Sequence, residues 1–434
     1  MTSDRGTSGQ GPNAGARRAT GRLDVLVVGG GPAGAAAAFW LAQKGRRVAI
    51  VDKARFPREK TCGDGITPRA VRELTDMGLG ASLEQFHRFS GLRSVGGGRS
   101  LELPWPAHPD YPSYGYVVRR RDLDQLVVDR AVEAGAVLWG ETEAIEPLFE
   151  GGQPQGAIVR RKGTGETERV SARYLVVADG ASSRFGRALG TSRSRRYPLA
   201  SAIRGYYKSP LHDDPWIEGH LDVRNEQGTP LPGYGWVFPV GDGTVNVGVG
   251  ALSSLGGRKW SLNTPRLLDT FVSKLPARWG VTPESSTGAP VGGYLPMAQS
   301  VKPVAGPTFV VVGDAAGLVN PLNGEGICYA YETGRFAAEA LDRALATGSA
   351  EALLAYPQRL EAEYGSYFRT ARTFFRLLAW PPLIAALAGQ GHRSSHLMEG
   401  VLRVFANVMR QEDPGPTEAA YRVMSRLAAL VPER

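Results

Sequence analysis

The sequence predicts an α/β fold in which a Rossmann-type dinucleotide-binding region is interleaved with an antiparallel-sheet region and followed by a helical C-terminal region. Three observations carry this reading. Residues 23–52 run strand, glycine turn, helix, strand and terminal acid in order. Two further apolar strands, ending at Asp179-Gly180 and at Gly313-Asp314, match the buried strands of a parallel sheet. Between them, residues 198–295 alternate in short strand-like runs with many turns and few helical periods.

The first unit is the most specific. Gly29, Gly31 and Gly34 stand in G-x-G-x-x-G spacing after the strand Leu23 to Val28, within the run Gly29, Gly30, Gly31, Pro32, Ala33, Gly34. The first glycine allows the tight turn, the second lets a pyrophosphate approach the backbone, and the third lets the helix pack on the strand. Free N–H groups at the helix start then face the phosphates. The helix is expected to reach about Gly45, and the strand Val48 to Val51 delivers Asp52 to accept from a ribose hydroxyl.

Next, Pro57 ends regular structure, and Cys62, Gly63, Asp64 and Gly65 form a loop before a helix expected near Pro68. From the residues alone, Cys62 is either a small buried filler or a thiol beside a flat ligand. Short strands are expected between Phe89 and Tyr116, and a helix opens at Arg120 with Asp122 and Asp124 complementing its dipole. Residues 136–144, 157–161 and 169–177 read as a strand-turn-strand set closing on Asp179 and Gly180. In an open α/β sheet, ligands sit outside such carboxyl ends. In the stretch Pro232 to Pro239, Tyr234, Trp236 and Phe238 share one strand face, and Val245 to Val249 supplies a hairpin partner. The pattern leaves these aromatics as either core or ligand wall. The strand from Phe309 is followed by the loop Asn320 to Gly326 and a helix Cys328 to Leu345, and residues 350–434 are expected to be helical.

Composition narrows the classes. A chain of 434 residues exceeds the usual size of one core, so two domains are expected. The 51 Lys+Arg against 42 Asp+Glu give +9, a balance that favours anionic partners. Two cysteines make no disulfide framework, and they and the 6 histidines form no metal-ligand pattern, so a reducing cytoplasm is expected. Residues 1–22 read as a disordered tail. No stretch approaches the roughly 18 uninterrupted apolar residues of a membrane span. The apolar segment Phe374 to Gly389, beside Arg369, Arg372 and Arg376, is a core helix or an interfacial lip, with Trp380 at its centre.

Three motifs in order, GGGPAG at 29–34, VADG at 177–180 and GDAAGLVNPLNGEGI at 313–327, resemble the flavoproteins of the p-hydroxybenzoate hydroxylase fold. FPREKTCGDG at 56–65 and Tyr234-x-Trp236-x-Phe238-Pro239 are similar, within that group, to the geranylgeranyl reductase family. The resemblance implies FAD-binding segments at 23–88, 117–197 and 296–345, a substrate domain at 89–116 and 198–295, and a helical region at 346–434. It implies FAD contacts from Gly29 to Gly34, Asp52, Cys62 to Gly65, Arg120, Asp179, Gly180, Asp314, Gly326 and Ile327. Tyr234, Trp236, Phe238 and Pro239 would bind a prenyl chain, that of menaquinone or of another polyprenyl lipid such as geranylgeranyl diphosphate. A membrane surface would be a partner and nucleic acid would not; the electron donor, a nicotinamide or a ferredoxin-like protein, stays open. A flavin monooxygenase or halogenase is the competing class, and the W-x-W-x-I-P stretch of such halogenases is missing from the sequence.

An isolated prenyl double bond accepts hydride only as it is protonated, so the expected site holds an acid as well as a reduced flavin. Cys62 is the first candidate, since a thiol in apolar surroundings stays protonated. Glu325 is the second, with a loop-stabilising role as its alternative.

Overall fold

The computed structural model describes residues 21–378, 394–410 and 415–431. The expected tail at 1–22 therefore lies outside the described residues except for its last two positions.

The sequence motif folds as strand β1 (Leu23–Val28), helix α1 (Pro32–Gln43) and strand β2 (Val48–Val51). α1 ends two residues short of the expected Gly45, which takes a left-handed φ of 71°. β1 lies between β2 and the C-terminal half of β8 (Thr167–Val177), both parallel to it. β2 pairs outward with β5 (Val137–Trp139), and β8 with β14 (Phe309–Val311), again parallel. Their near-continuous apolar runs are buried, as in parallel sheets covered on both faces. The N-terminal half of β8 turns antiparallel, pairing with β7 (Gln153–Arg161), which pairs with β6 (Thr142–Glu150).

Helices α2 (Pro68–Asp76), α3 (Arg120–Glu133) and α5 (Ile327–Thr347) follow the expected starts within one residue. α5 packs on α1 through small residues: a side chain at Gly334 would begin 2.5 Å from the carbonyl oxygen of Ala33. This close approach fixes the glycine turn ahead of α1 against the loop ahead of α5.

The second sheet takes the order β13 (Val291–Pro296), β9 (Leu199–Lys208), β12 (Thr244–Leu255), β11 (Gly233–Pro239), β10 (Trp216–His220), β3 (Gly91–Gly96) and β4 (Arg99–Pro104). It is antiparallel except where β3 and β10 pair in parallel. That exception follows from connectivity: β3 is laid down before the chain returns to the first sheet, so β10 meets it by a crossover and not by a hairpin.

Alternation divides the second sheet cleanly. Ile203, Val237, Val247 and Val249 point to one face and form a core with α4 (Thr264–Val272) and Trp279. On β9, β11 and β12 the even-numbered residues, including Tyr234, Trp236 and Phe238, point to the other face, towards the first sheet. Helices α6 (Ser366–Leu378), α7 (Ser395–Phe405) and α8 (Pro416–Ala429) close the remaining side. Of the expected lip Phe374 to Gly389, Phe374 and Phe375 are half-buried against the core, and residues 379–389 with Trp380 lie outside the described residues.

Candidate active site

One cavity of about 1800 Å³ runs from the glycine turn to the C-terminal helices. Gly29, Gly31, Pro32, Ala33, Asp52, Asp179, Gly180, Asp314, Gly326 and Ile327 line its first part. Cys62, Gly63 and Arg120 line the middle with Tyr234, Trp236 and Phe238. The structure thus brings the three separated motifs and the aromatic strand to one space.

Six expected residues stand behind the wall. Gly30 packs under Phe56 and Ile50, and Gly34 meets the Gly29 carbonyl, where a side chain would begin 1.9 Å away. Asp64 is fully buried behind its loop, and Gly65 packs on Phe238. Pro239 is buried at the end of β11. Glu325 turns to the hydroxyl of Thr67 and the thiol of Cys328, so its place favours holding the loop over facing a ligand.

Asp52 is already engaged. Its carboxylate accepts from the Gly30 N–H at 2.8 Å and from the Ala54 N–H at 2.9 Å, which holds the glycine turn shut. Acceptor capacity remains for a ribose hydroxyl, since each carboxylate oxygen takes more than one donor. Arg58 was not singled out by the sequence. Its guanidinium stands 3.5 Å from where a side chain at Gly31 would begin, and it pairs with Asp124 at 3.1 Å. A cation over the phosphate-facing glycine is a fit for a pyrophosphate. The cradle fits FAD on a second count: a buried oxygen of Asp179 has no partner among the described residues and borders the cavity.

Cys62 is half-buried, its open side facing the enclosed cavity. Burial pushes the thiol above its ordinary range; the adjacent Arg120 guanidinium opposes this and the Asp64 carboxylate reinforces it. Arg120 is held by Asp124 in a two-pronged pair at 2.7 and 2.9 Å, which spends much of its charge there. Asp64 is itself pushed up to about 6 by burial, against hydrogen bonds from the Tyr206 hydroxyl and the Asn246 amide. A thiol so placed holds its proton at neutral pH.

Asn246 connects these parts. Fully buried on β12, it accepts from the Trp236 indole N–H at 2.9 Å and donates to the Cys62 carbonyl at 3.0 Å and to Asp64 at 2.8 Å. The Tyr234 hydroxyl donates to the Asn323 carbonyl at 2.6 Å, in the loop before α5. Tyr234 and Trp236 are thus tied to the two loops, and all three aromatic side chains line the cavity. The sequence could have signalled Asn246 as the one polar residue in an apolar strand, Val245 to Val249.

Comparisons with known proteins agree with this geometry. A family profile described as an FAD binding domain matches residues 22–213. A menaquinone reductase of Mycobacterium tuberculosis is 41% identical over 413 residues, 95% of this chain and 97% of that protein. The chain belongs to the geranylgeranyl reductase family. A digeranylgeranylglycerophospholipid reductase of Methanopyrus kandleri is 33% identical over 82% of this chain and 90% of its own. Among solved structures, a geranylgeranyl bacteriochlorophyll reductase-like protein of Thermoplasma acidophilum superposes with a TM-score of 0.75 at 24% identity, covering 93% of this chain and 99% of that one. As a member of this family the chain is a flavoprotein whose cofactor is FAD.

The raised thiol gives a direct prediction. Alkylation of Cys62 by iodoacetamide, mapped by peptide mass, should be slow at pH 8 and accelerate only above about pH 9, later than an ordinary thiol. Removing the neighbouring negative charge in Asp64→Asn should shift that rise to lower pH. Fast alkylation at pH 7 would mean a thiolate and rule out the acid role.

Proposed function

We propose that the protein is an FAD-dependent reductase that saturates a C=C bond in the prenyl chain of a lipid, most directly one isoprene unit of the menaquinone side chain. The observation that carries this reading is the continuity of the FAD cradle with a cavity walled by Tyr234, Trp236 and Phe238 and holding the Cys62 thiol. Bound and reduced, FAD supplies the hydride. The protein's residues do the rest. The aromatic wall positions the chain and excludes water, so that the reacting carbons are held and not diffusing. Cys62 holds a proton on its sulfur beside that wall and delivers it to the double bond. The N-terminus of α5, at Gly326 and Ile327, lines the cavity with backbone N–H groups and a positive dipole that would stabilise negative charge on a bound, reduced flavin. Asp314, whose carboxylate lies 3.2 Å from where a side chain at Gly326 would begin, is placed to accept from a ribityl hydroxyl.

A brominase that shares the fold with a TM-score of 0.71 is only 19% identical, so it speaks for the fold alone. A thiol that holds its proton, set against a prenyl-sized apolar wall, favours reduction over oxygen chemistry.

The proposal extends to where the lipid enters. The far end of the cavity is rimmed by Leu397 and Val401 of α7, Met424 and Leu427 of α8, and Val431 two residues beyond it. Leu397, Met424, Leu427 and Val431 are exposed, and Arg422 and Arg426 flank them. Apolar side chains at a cavity mouth with neighbouring arginines suit the surface of a membrane rich in anionic lipid, each basic residue adding roughly 1 kcal/mol. No helix among the described residues is long and apolar enough to cross a membrane. We place the enzyme on the cytoplasmic face of the cell membrane, taking its lipid through this mouth.

The function is tested by anaerobic incubation of the dithionite-reduced protein with menaquinone and, separately, with geranylgeranyl diphosphate. After air reoxidation of any quinol, menaquinone should retain two added hydrogens in its side chain. Cys62→Ser should lose at least about 10²-fold in turnover, the scale of a general acid, with its FAD content unchanged. No retained mass gain on either lipid refutes the reading, and full turnover by Cys62→Ser removes the thiol from it.

Membrane docking is tested by co-sedimentation with liposomes. Binding should require anionic lipid, weaken at high salt, and fall in a Met424→Glu, Leu427→Glu variant that keeps its FAD. Equal binding by that variant would move the docking face elsewhere.

A further inference from the structure

The buried arginines of the site differ in how they are satisfied. Arg120 grips Asp124 at 2.7 and 2.9 Å, and Arg69 grips Glu332 with three contacts of 2.7 to 3.1 Å. Arg204, on β9, is only 4% exposed yet has no such partner. Its nearest acceptors, the Glu59 carboxylate and the Lys60 carbonyl, both stand at 3.4 Å, beyond the range of a good hydrogen bond. Its Nε has no partner among the described residues. The guanidinium rests on the Tyr206 ring, 4.3 Å from its centroid, and borders the cavity. A desolvated cation short of acceptors costs stability unless a ligand supplies them.

Sheet register says where that ligand atom would lie. Trp236 pairs with Gly248, and Gly248 pairs with Arg204, so the three form one row across β11, β12 and β9 on the cavity face. The middle position must be glycine, since a side chain there would begin 2.2 Å from the Trp236 ring. The row is therefore a floor whose middle is covered by the indole itself, which lies over Gly248 and reaches from β11 towards the guanidinium on β9; the backbones that carry the two groups stand roughly 9–10 Å apart across two strand spacings. The Cys62 loop covers this floor: Gly63 packs on Trp236, and Lys60, two residues before Cys62, touches Arg204. An apolar chain with an oxygen-bearing head would lie along it with the head at Arg204 and its first isoprene units over Trp236.

Resting on the prenyl-reductase reading, we propose that Arg204 anchors the head group of the lipid, donating to a quinone carbonyl or a phosphate oxygen, and so selects a double bond near the head for reduction. The shared chemistry is an oxygen acceptor at the end of a prenyl chain. A headless polyprene lacks it.

The test uses FAD-loaded parent, Arg204→Met and Arg204→Lys with three probes: a short-chain menaquinone, a geranylgeranyl glycerophospholipid and squalene. The readouts are side-chain saturation by mass and perturbation of the oxidised flavin spectrum on binding. In the parent, one head-bearing probe should be preferred over squalene. In Arg204→Met that preference in kcat/KM and in binding should shrink by about tenfold or more, the value of a charge-assisted hydrogen bond, with Arg204→Lys intermediate. The head whose preference collapses names the source of the oxygen. An unchanged preference for both heads overturns the anchor. So does loss of FAD from both variants, which would assign the guanidinium to the cofactor. A parent that saturates none of the three probes overturns the functional reading itself.

Discussion

Asn246 is the hinge of the whole arrangement. A primary amide buried in an apolar strand is costly unless its groups are paired, and here they are paired with the neighbouring strand and with a loop more than 180 positions away. Its oxygen takes the Trp236 indole N–H, and its nitrogen reaches the Cys62 carbonyl and the Asp64 carboxylate. The loop that follows the dinucleotide motif is thereby fixed to the strand that walls the lipid cavity. Without that tie, the thiol and the aromatic wall would belong to two surfaces free to shift, and proton delivery tolerates little misplacement.

A second tie completes the frame. Tyr234 bonds the loop before α5 through the Asn323 carbonyl, and Asn320 in the same loop, fully buried, bonds the Tyr367 hydroxyl and the Phe405 carbonyl of the C-terminal helices. Helices α6 and α7 are thus anchored to the loop that would carry the flavin.

Much of this was legible in the sequence, and the limit falls where local pattern stops. The glycine turn, Asp52 and the strands ending at Asp179 and Asp314 are contiguous signals with one structural solution each, so elements and positions agree closely. The period-two spacing of Tyr234, Trp236 and Phe238 put them on one face, but only the opposing loop shows that this face lines the cavity. Arg58 and Arg204 are two among 51 basic residues, and nothing local separates a cation over a phosphate turn or a cavity floor from a solvated one. Glu325 read as either a second acid or a loop-holding group, and only the hydroxyl of Thr67, more than 250 positions away, favours the second role. The segment Phe374 to Gly389 read as a core helix or a lip; Phe374 and Phe375 both pack on the core and line the cavity, and residues 379–389 lie outside the described residues.

The central claim is that one space brings a prenyl chain, the Cys62 proton and the flavin together. A crystal structure of the FAD-loaded protein with a saturated prenyl lipid tests it most directly. The account predicts the chain laid across Tyr234, Trp236 and Phe238, with the Cys62 sulfur facing it on the path to the flavin. A chain bound in any other groove, or a Cys62 sulfur turned away from it behind the loop, would contradict the account.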